Sequence, residues 1–294
     1  MSAFRSGYVV LIGLPNAGKS TLLNALIGEK VSITSPRPQT TRHRIAGILS
    51  SPDYQLILVD TPGLLTPAYL LHEHLMTAVQ HALRDADAVL ILPDATQPAE
   101  QLQVLADAVG TTTLPVVVAI NKTDAADARQ VASLSEAARL HWPMATVLDV
   151  SALQGLNLDR LVSELVRVLP EHPPYFPDGQ LTDRTERFLA SELIREVIFH
   201  QYHQEIPYST EVIVNEWREE PGRLRISADI WVERESQKAI LLGRGGAAIR
   251  QLGISARTLL EKQLGKPVVL LLTVKVVGQW RKKPALLKKL GFSA

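Results

Sequence analysis

Apolar residues along this chain follow two rhythms. Short runs too brief for helices, Tyr8–Ile12, Val89–Leu92 and Val116–Ile120, are apolar throughout, and Tyr54–Val59 and Ala145–Val150 are mostly so. Such runs predict strands buried on both faces, as in a parallel sheet covered by helices. Between them lie segments with helical spacing, beginning with Lys19–Ile27 and ending with Leu156–Leu169. Arg44–Leu49 and Tyr54–Val59 flank the turn Ser51, Pro52, Asp53 and predict a strand pair, so the sheet is expected to be mixed but mostly parallel.

After Leu169 the rhythm changes. Pro170, Pro173, Pro174 and Pro177 fall within eight residues, which excludes helix and regular sheet and reads as an extended linker. Beyond it, apolar residues at 188, 189, 193, 194, 197 and 198 make the stripe of an amphipathic helix over Thr185–His203. Strands over Ser209–Glu216 and Arg223–Val232, helices over Glu235–Leu242 and Ala247–Gln263, and a strand over Pro267–Val277 follow. The expected division is an α/β domain at 1–169, a linker at 170–184, an α+β domain at 185–280 and a tail at 281–294.

Composition adds limits. The 294 residues are 46% hydrophobic, enough for two ordinary cores, and contain no cysteine, which excludes disulfides and cysteine-based zinc sites. No run approaches the ~18 apolar residues of a membrane span, and no charged-then-apolar export segment opens the chain, so a cytoplasmic location is expected. The net charge of +1 hides an asymmetry: 12 of the 31 Lys and Arg, against one acid, Glu261, fall from Ser236 onward, leaving 19 basic and 29 acidic residues before it. A basic end on an acidic body predicts a polyanionic partner for the end alone.

Chemistry enters at Gly13, Leu14, Pro15, Asn16, Ala17, Gly18, Lys19, Ser20, which fills every fixed position of the GxxxxGKS phosphate loop and lies between a predicted strand and a predicted helix. Its glycines let successive amides face a polyphosphate at a helix start, near Ala17 and Thr21. Lys19 is placed to reach the outer phosphates and Ser20 to ligate Mg2+. Val31–Thr41, with two prolines and many hydroxyls, reads as a mobile loop. Asp60, Thr61, Pro62, Gly63 form a DxxG motif: the acid can hold magnesium and the Gly63 amide can meet the terminal phosphate. Asn121, Lys122, Thr123, Asp124 form NKxD, where the Asp124 carboxylate accepts from two guanine donors that adenine lacks at that edge. Ser151, Ala152 and Leu153 then offer a small loop to close over the base. His72, His74 and His81 lie within ten residues, but residues two apart on a helix diverge, so no metal site is expected of them.

The four motifs in this order resemble a translation-factor-type P-loop GTPase domain, and QTTRHRI in the mobile loop resembles the Era family. The resemblance implies that GTP and GDP are bound with Mg2+, that Thr41 joins Ser20 and Asp60 at the metal, with Thr40 the alternative, and that Lys19, Thr41, Asp60 and Gly63 serve hydrolysis. After the DxxG motif stands Leu64 instead of the glutamine that orients water in signalling GTPases, so hydrolysis is slow or helped from elsewhere. Similarity to potassium-dependent GTPases implies that Asn16 holds K+; the alternative is that Asn16 only shapes the loop.

The second candidate site is Gly243, Arg244, Gly245, Gly246, a GxxG loop between two predicted helices. In the order helix, strand, strand, helix, helix, strand it resembles a type II KH domain, whose loop clamps single-stranded nucleic acid, with Arg244 and Arg250 placed for phosphates. Gly243, Gly245 and Ala248 also fit a dinucleotide fingerprint, but that pattern needs a preceding strand and an acid ~20 residues on. The resemblance to the Era family implies the 3′ end of small-subunit (16S) ribosomal RNA and the 30S particle as partners and a role in small-subunit assembly; no stable oligomer is expected. A membrane-associated regulatory GTPase linked to cell division, its basic end on anionic lipid at the inner face of the cell membrane, is the competing reading.

Overall fold

A computed structural model describes residues 3–292. The first two residues of the expected first domain and the last two of the expected tail lie outside the described residues. The chain forms two compact units whose main division falls between Asp183 and Arg184, with Tyr69–Leu71 grouped with the second.

The first unit runs β1 (Arg5–Ile12), α1 (Lys19–Ile27), β2 (Ile45–Ser51), β3 (Tyr54–Asp60), α2 (Leu70–Arg84), β4 (Ala88–Ile91), α3 (Gln101–Val109), β5 (Val116–Ile120), α4 (Ala128–His141), β6 (Thr146–Asp149) and α5 (Leu158–Val168). The six strands lie in the order β2-β3-β1-β4-β5-β6. β2 and β3 form an antiparallel hairpin, and every other neighbouring pair is parallel. Val9, Val10, Leu11 and Ile12 of the central β1 are fully buried, each contributing about 1.5–3 kcal/mol relative to exposure. Because the strands from β3 through β6 are parallel, their carboxyl ends share one edge, where open α/β sheets bind ligands.

The segment 170–183, most of the extended linker expected at 170–184, is seated on this unit. The Ser6 amide donates to the Pro170 carbonyl at 3.2 Å and the His172 amide to the Phe4 carbonyl at 3.2 Å. Gln55 grips the middle: its Oε1 accepts from the Tyr175 and Phe176 amides at 2.8 and 2.9 Å, and its Nε2 donates to the Phe176 carbonyl at 2.9 Å. At the far end the Ile48 amide donates to the Leu181 carbonyl at 2.9 Å, and the Ala46 amide to Asp183 Oδ1 at 3.1 Å. Proline removes amides but keeps carbonyls, so the prolines limit the pairing without abolishing it.

The second unit holds α6 (Glu186–Gln201), the one-turn α7 (Ile206–Ser209), β7 (Glu211–Glu220), β8 (Arg223–Val232), α8 (Glu235–Leu242), α9 (Ala247–Leu264), β9 (Val268–Val276) and α10 (Pro284–Lys289). Its three strands are ordered β7-β8-β9, antiparallel then parallel. The expected basic tail is built into this unit. Trp280 is fully buried and its Nε1 donates to the Ser209 carbonyl at 2.9 Å. α10 follows, and Leu287 and Phe292 are buried although lysines dominate the surrounding sequence.

Candidate functional site

The phosphate loop leaves β1 after Ile12 and closes at Gly18, the N-cap of α1, with φ +94°. A Cβ at Gly18 would sit 2.3 Å from the Asn121 amide, so neither backbone nor space admits another residue. Asn16 also has positive φ, 64°. Lys19 Nζ donates back to the loop carbonyls of Gly13 at 3.0 Å and Leu14 at 3.2 Å. Thr21 stands on the first turn of the same helix.

Asp60 ends β3 with its carboxylate fully buried beside this helix start. Its Oδ2 accepts from Ser20 Oγ at 2.6 Å, Ser32 Oγ at 3.0 Å and Thr41 Oγ1 at 3.4 Å. Ser20 Oγ and Thr41 Oγ1 lie 2.8 Å apart. The three residues expected at Mg2+ are therefore gathered, and Thr41 is the threonine that joins them, while the Thr40 hydroxyl donates to the Arg37 carbonyl at 2.9 Å. Asp60 Oδ1 is buried and has no hydrogen-bond partner. A buried carboxylate with one unpartnered oxygen, its other oxygen against the Ser20 and Thr41 hydroxyls, is a hard-oxygen donor set that fits Mg2+. Burial pushes Lys19 down to about 8, opposed by the charge of Asp60. Burial likewise pushes Asp60 up, opposed by Lys19 and the three hydroxyls. A triphosphate suits the lysine and a divalent cation suits the acid.

The expected mobile loop has no regular structure, but its ends are packed: Val31, Ser32 and Ile33, then Thr40, Thr41 and Arg42, are buried. Asn16 Nδ2 donates to the Pro36 carbonyl of this loop at 2.9 Å. Gly63 is pressed against the phosphate loop, where a Cβ would lie 2.8 Å from the Pro15 backbone. The next amide, of Leu64, donates to the Gly13 carbonyl at 3.2 Å.

Asn121 ties the phosphate loop to the loop at Ser151–Leu153. Its Nδ2 donates to the Ala17 carbonyl at 2.8 Å, and its Oδ1 accepts from the Ala152 amide at 2.9 Å. Asp124 Oδ1 accepts from Ser151 Oγ at 2.5 Å. Lys122, at φ 63°, extends to Asp94 Oδ2 at 2.6 Å. Leu153 is 74% exposed, so its side chain stands apart from the cluster. Sequence reasoning missed Asp94, Ser32 and Asn24; the only signal was position, an acid just after the β4 run and an asparagine one turn beyond Ser20.

In the second unit all three glycines of the GxxG loop have positive φ: Gly243 69°, Gly245 60° and Gly246 78°. A Cβ at Gly243 would lie 2.6 Å from that of Ala248, whereas Gly245 and Gly246 face open space. Arg244 and Gly245 are exposed, as is Arg250 on α9. The segment before Gly243 is helix α8, which removes the dinucleotide reading, since that requires a strand there.

A family model described as a 50S ribosome-binding GTPase matches residues 8–122, and one described as a KH domain matches residues 205–281. The chain is 42% identical over 293 residues to GTPase Era of Geobacter metallireducens, covering 99% of this chain and 98% of that one. It is 43% identical over 301 residues to GTPase Era of Mycolicibacterium smegmatis, covering 99% and 100%. Among solved structures, an Aquifex aeolicus Era variant bound to GDP and AlF4− matches with a TM-score of 0.94 at 37% identity, covering 99% of this chain and 100% of that one. The same figures describe Era in complex with MgGDPNP and nucleotides 1506–1542 of 16S ribosomal RNA.

Proposed function

The chain belongs to the Era family of GTPases, and from that premise we propose that it is a GTP-hydrolysing switch whose second unit retains the 3′ end of 16S ribosomal RNA during small-subunit assembly. The observation that carries the nucleotide half is the set of hydrogen bonds from Asn121 and Ser151 that fixes the Asp124 loop beside the phosphate loop. Asp124 reads guanine, the phosphate-loop amides and Lys19 hold the phosphates, and Ser20, Thr41 and Asp60 hold Mg2+. Bound there, that ion would supply neutralisation of phosphate charge. Gly63 brings its amide toward the terminal phosphate. Leu64 offers water no hydrogen bond, so assistance falls to Asn16 with K+.

The nucleic-acid half is supported by the exposed glycine loop, whose positive-φ backbone leaves room for a strand to approach, flanked by Arg244 and Arg250. Coupling follows the chain. Thr41 leads directly into β2, and β2 is paired with residues 181–183, after which the second unit begins. GTP that holds Thr41 biases β2 and the segment clamped to it, and RNA is retained until hydrolysis.

The test is RNA retention at defined salt in the GTP-analogue and GDP forms. Wild type is expected to hold the RNA more tightly with the GTP analogue, and Arg244→Asp to lose at least tenfold in both forms, since it replaces a phosphate-facing cation with an anion. Equal affinity in the two nucleotide forms would sink the coupling. Among the described residues no helix is long and apolar enough to cross a membrane. Binding to anionic vesicles that survives Arg244→Asp, without RNA retention, would favour peripheral association at the inner membrane face.

A further inference from the structure

Of the three hydroxyls that converge on Asp60 Oδ2, two belong to residues assigned to the cation, Ser20 and Thr41. The third belongs to Ser32, which is 2% exposed and donates at 3.0 Å. The last torsion of a carboxylate is broad and nearly two-fold, so its hydrogen-bond partners set the plane in which the group is held. Ser20 and Thr41 serve a second purpose whenever a cation is bound. Among the described residues the Ser32 hydroxyl has no acceptor besides Asp60.

Its backbone is clamped as well. Asn24 Nδ2 donates to the Ser32 carbonyl at 2.7 Å, and Asn24 Oδ1 accepts from the Val31 and Ser32 amides at 3.0 Å each. Asn24 is four residues after Ser20 on α1, so the two side chains share one face of one helix. The helix that carries Ser20 to the carboxylate therefore also fixes, through Asn24 and Ser32, the direction from which the carboxylate is held. The flanking Val31 and Ile33 are buried, which keeps water from competing for the Ser32 hydroxyl.

We infer that Ser32, held by Asn24, is a positioning residue for Mg2+: it fixes the Asp60 carboxylate so that Oδ2 stays beside the Ser20 and Thr41 hydroxyls, the side on which the cation would be held. The inference rests on the reading of Ser20, Thr41 and Asp60 as the magnesium donors.

The experiment follows release of a fluorescent GDP analogue from the full chain as free Mg2+ is varied, with a second series in excess chelator. Ser32→Ala should raise the Mg2+ concentration for half-maximal retention about tenfold, the worth of one hydrogen bond to a charged acceptor. Release in chelator should match wild type. Ser32→Thr, which keeps the hydroxyl, should return the midpoint toward wild type. Asn24→Ala should shift it in the same direction, and the double variant should shift it no further than Ser32→Ala, because both act through one contact. Equal acceleration of release with and without Mg2+ would make Ser32 merely structural and overturn the inference, as would full additivity with Asn24→Ala. Asp60→Asn is the control: if it leaves the midpoint unmoved, the magnesium assignment itself has failed, and the inference falls with it.

Discussion

Around Lys19 and Asn121 the first unit fixes its site with side chains, whereas at residues 243–246 the second unit relies on backbone conformation. In the first, Asn121 alone bridges Ala17 and Ala152, and Asp60 gathers three hydroxyls, most of it buried. In the second, three glycines with positive φ form a partly exposed loop edged by arginines. The difference follows the ligands. A guanine ring and a metal-bound triphosphate have fixed donors at fixed distances, so discrimination comes from preorganised groups that are costly to leave unpaired. A single strand offers a repeated backbone and tolerates displacement along it, so close approach and charge suffice.

The sharpest way to break this comparison is at Asp124. Asp124→Asn replaces the double acceptor for guanine with a group offering one acceptor and a donor, and preference for GTP over xanthosine triphosphate should fall by about 10^3-fold or more in competition binding. RNA retention in nucleotide-free protein should be unaffected. A retained GTP preference would show that the base is read elsewhere.

The second test contrasts two glycines in one loop. Gly243→Ala combines a φ of 69° with a Cβ 2.6 Å from that of Ala248, so the loop must shift; RNA affinity should fall at least tenfold, with about 1–3 kcal/mol lost in thermal or denaturant unfolding of the second unit. Gly245→Ala faces open space and carries only the left-handed penalty, about 1–2 kcal/mol, with a smaller loss of RNA affinity. If the two behaved alike, backbone conformation alone would set the loop, without the packing against Ala248.

The smallest effect is expected at Asn16, whose amide reaches the Pro36 carbonyl. Asn16→Ala should lower hydrolysis severalfold in K+ and erase the difference between K+ and Na+, measured as phosphate release. Matching wild-type rates in both salts would reduce Asn16 to a residue that shapes the loop.

What could be read from the sequence divides by how each feature is encoded. The strands, the helices flanking both sites and the motif residues follow from local pattern. Lys19–Ile27, Arg223–Val232 and Glu235–Leu242 begin and end where periodicity and glycine place them. Three features escaped because their causes are distant in sequence. Ser32 meets Asp60 across 28 positions, and Gln55 meets Phe176 across 121, contacts no window reveals. Proline content argued for an extended linker at 170–184 and gave no sign that it is seated on the sheet; the pairing uses the carbonyls of Pro170 and Leu181 and the Asp183 carboxylate, all of which survive the prolines. At the carboxyl end, charge drew attention from Trp280, Leu287 and Phe292, whose burial makes the lysine-rich stretch part of the second core.

The segment clamped along β2 bears on how the chain can be cut. β2 is the outermost strand of its sheet, and residues 181–183 occupy the amides of Ala46 and Ile48 on that side. A fragment ending at Leu169 would bare a strand edge lined with Ile45, Ala46 and Ile48, an invitation to intermolecular strand addition and precipitation. Fourteen residues more, to Asp183, would carry the native cover with them and keep such a fragment in solution.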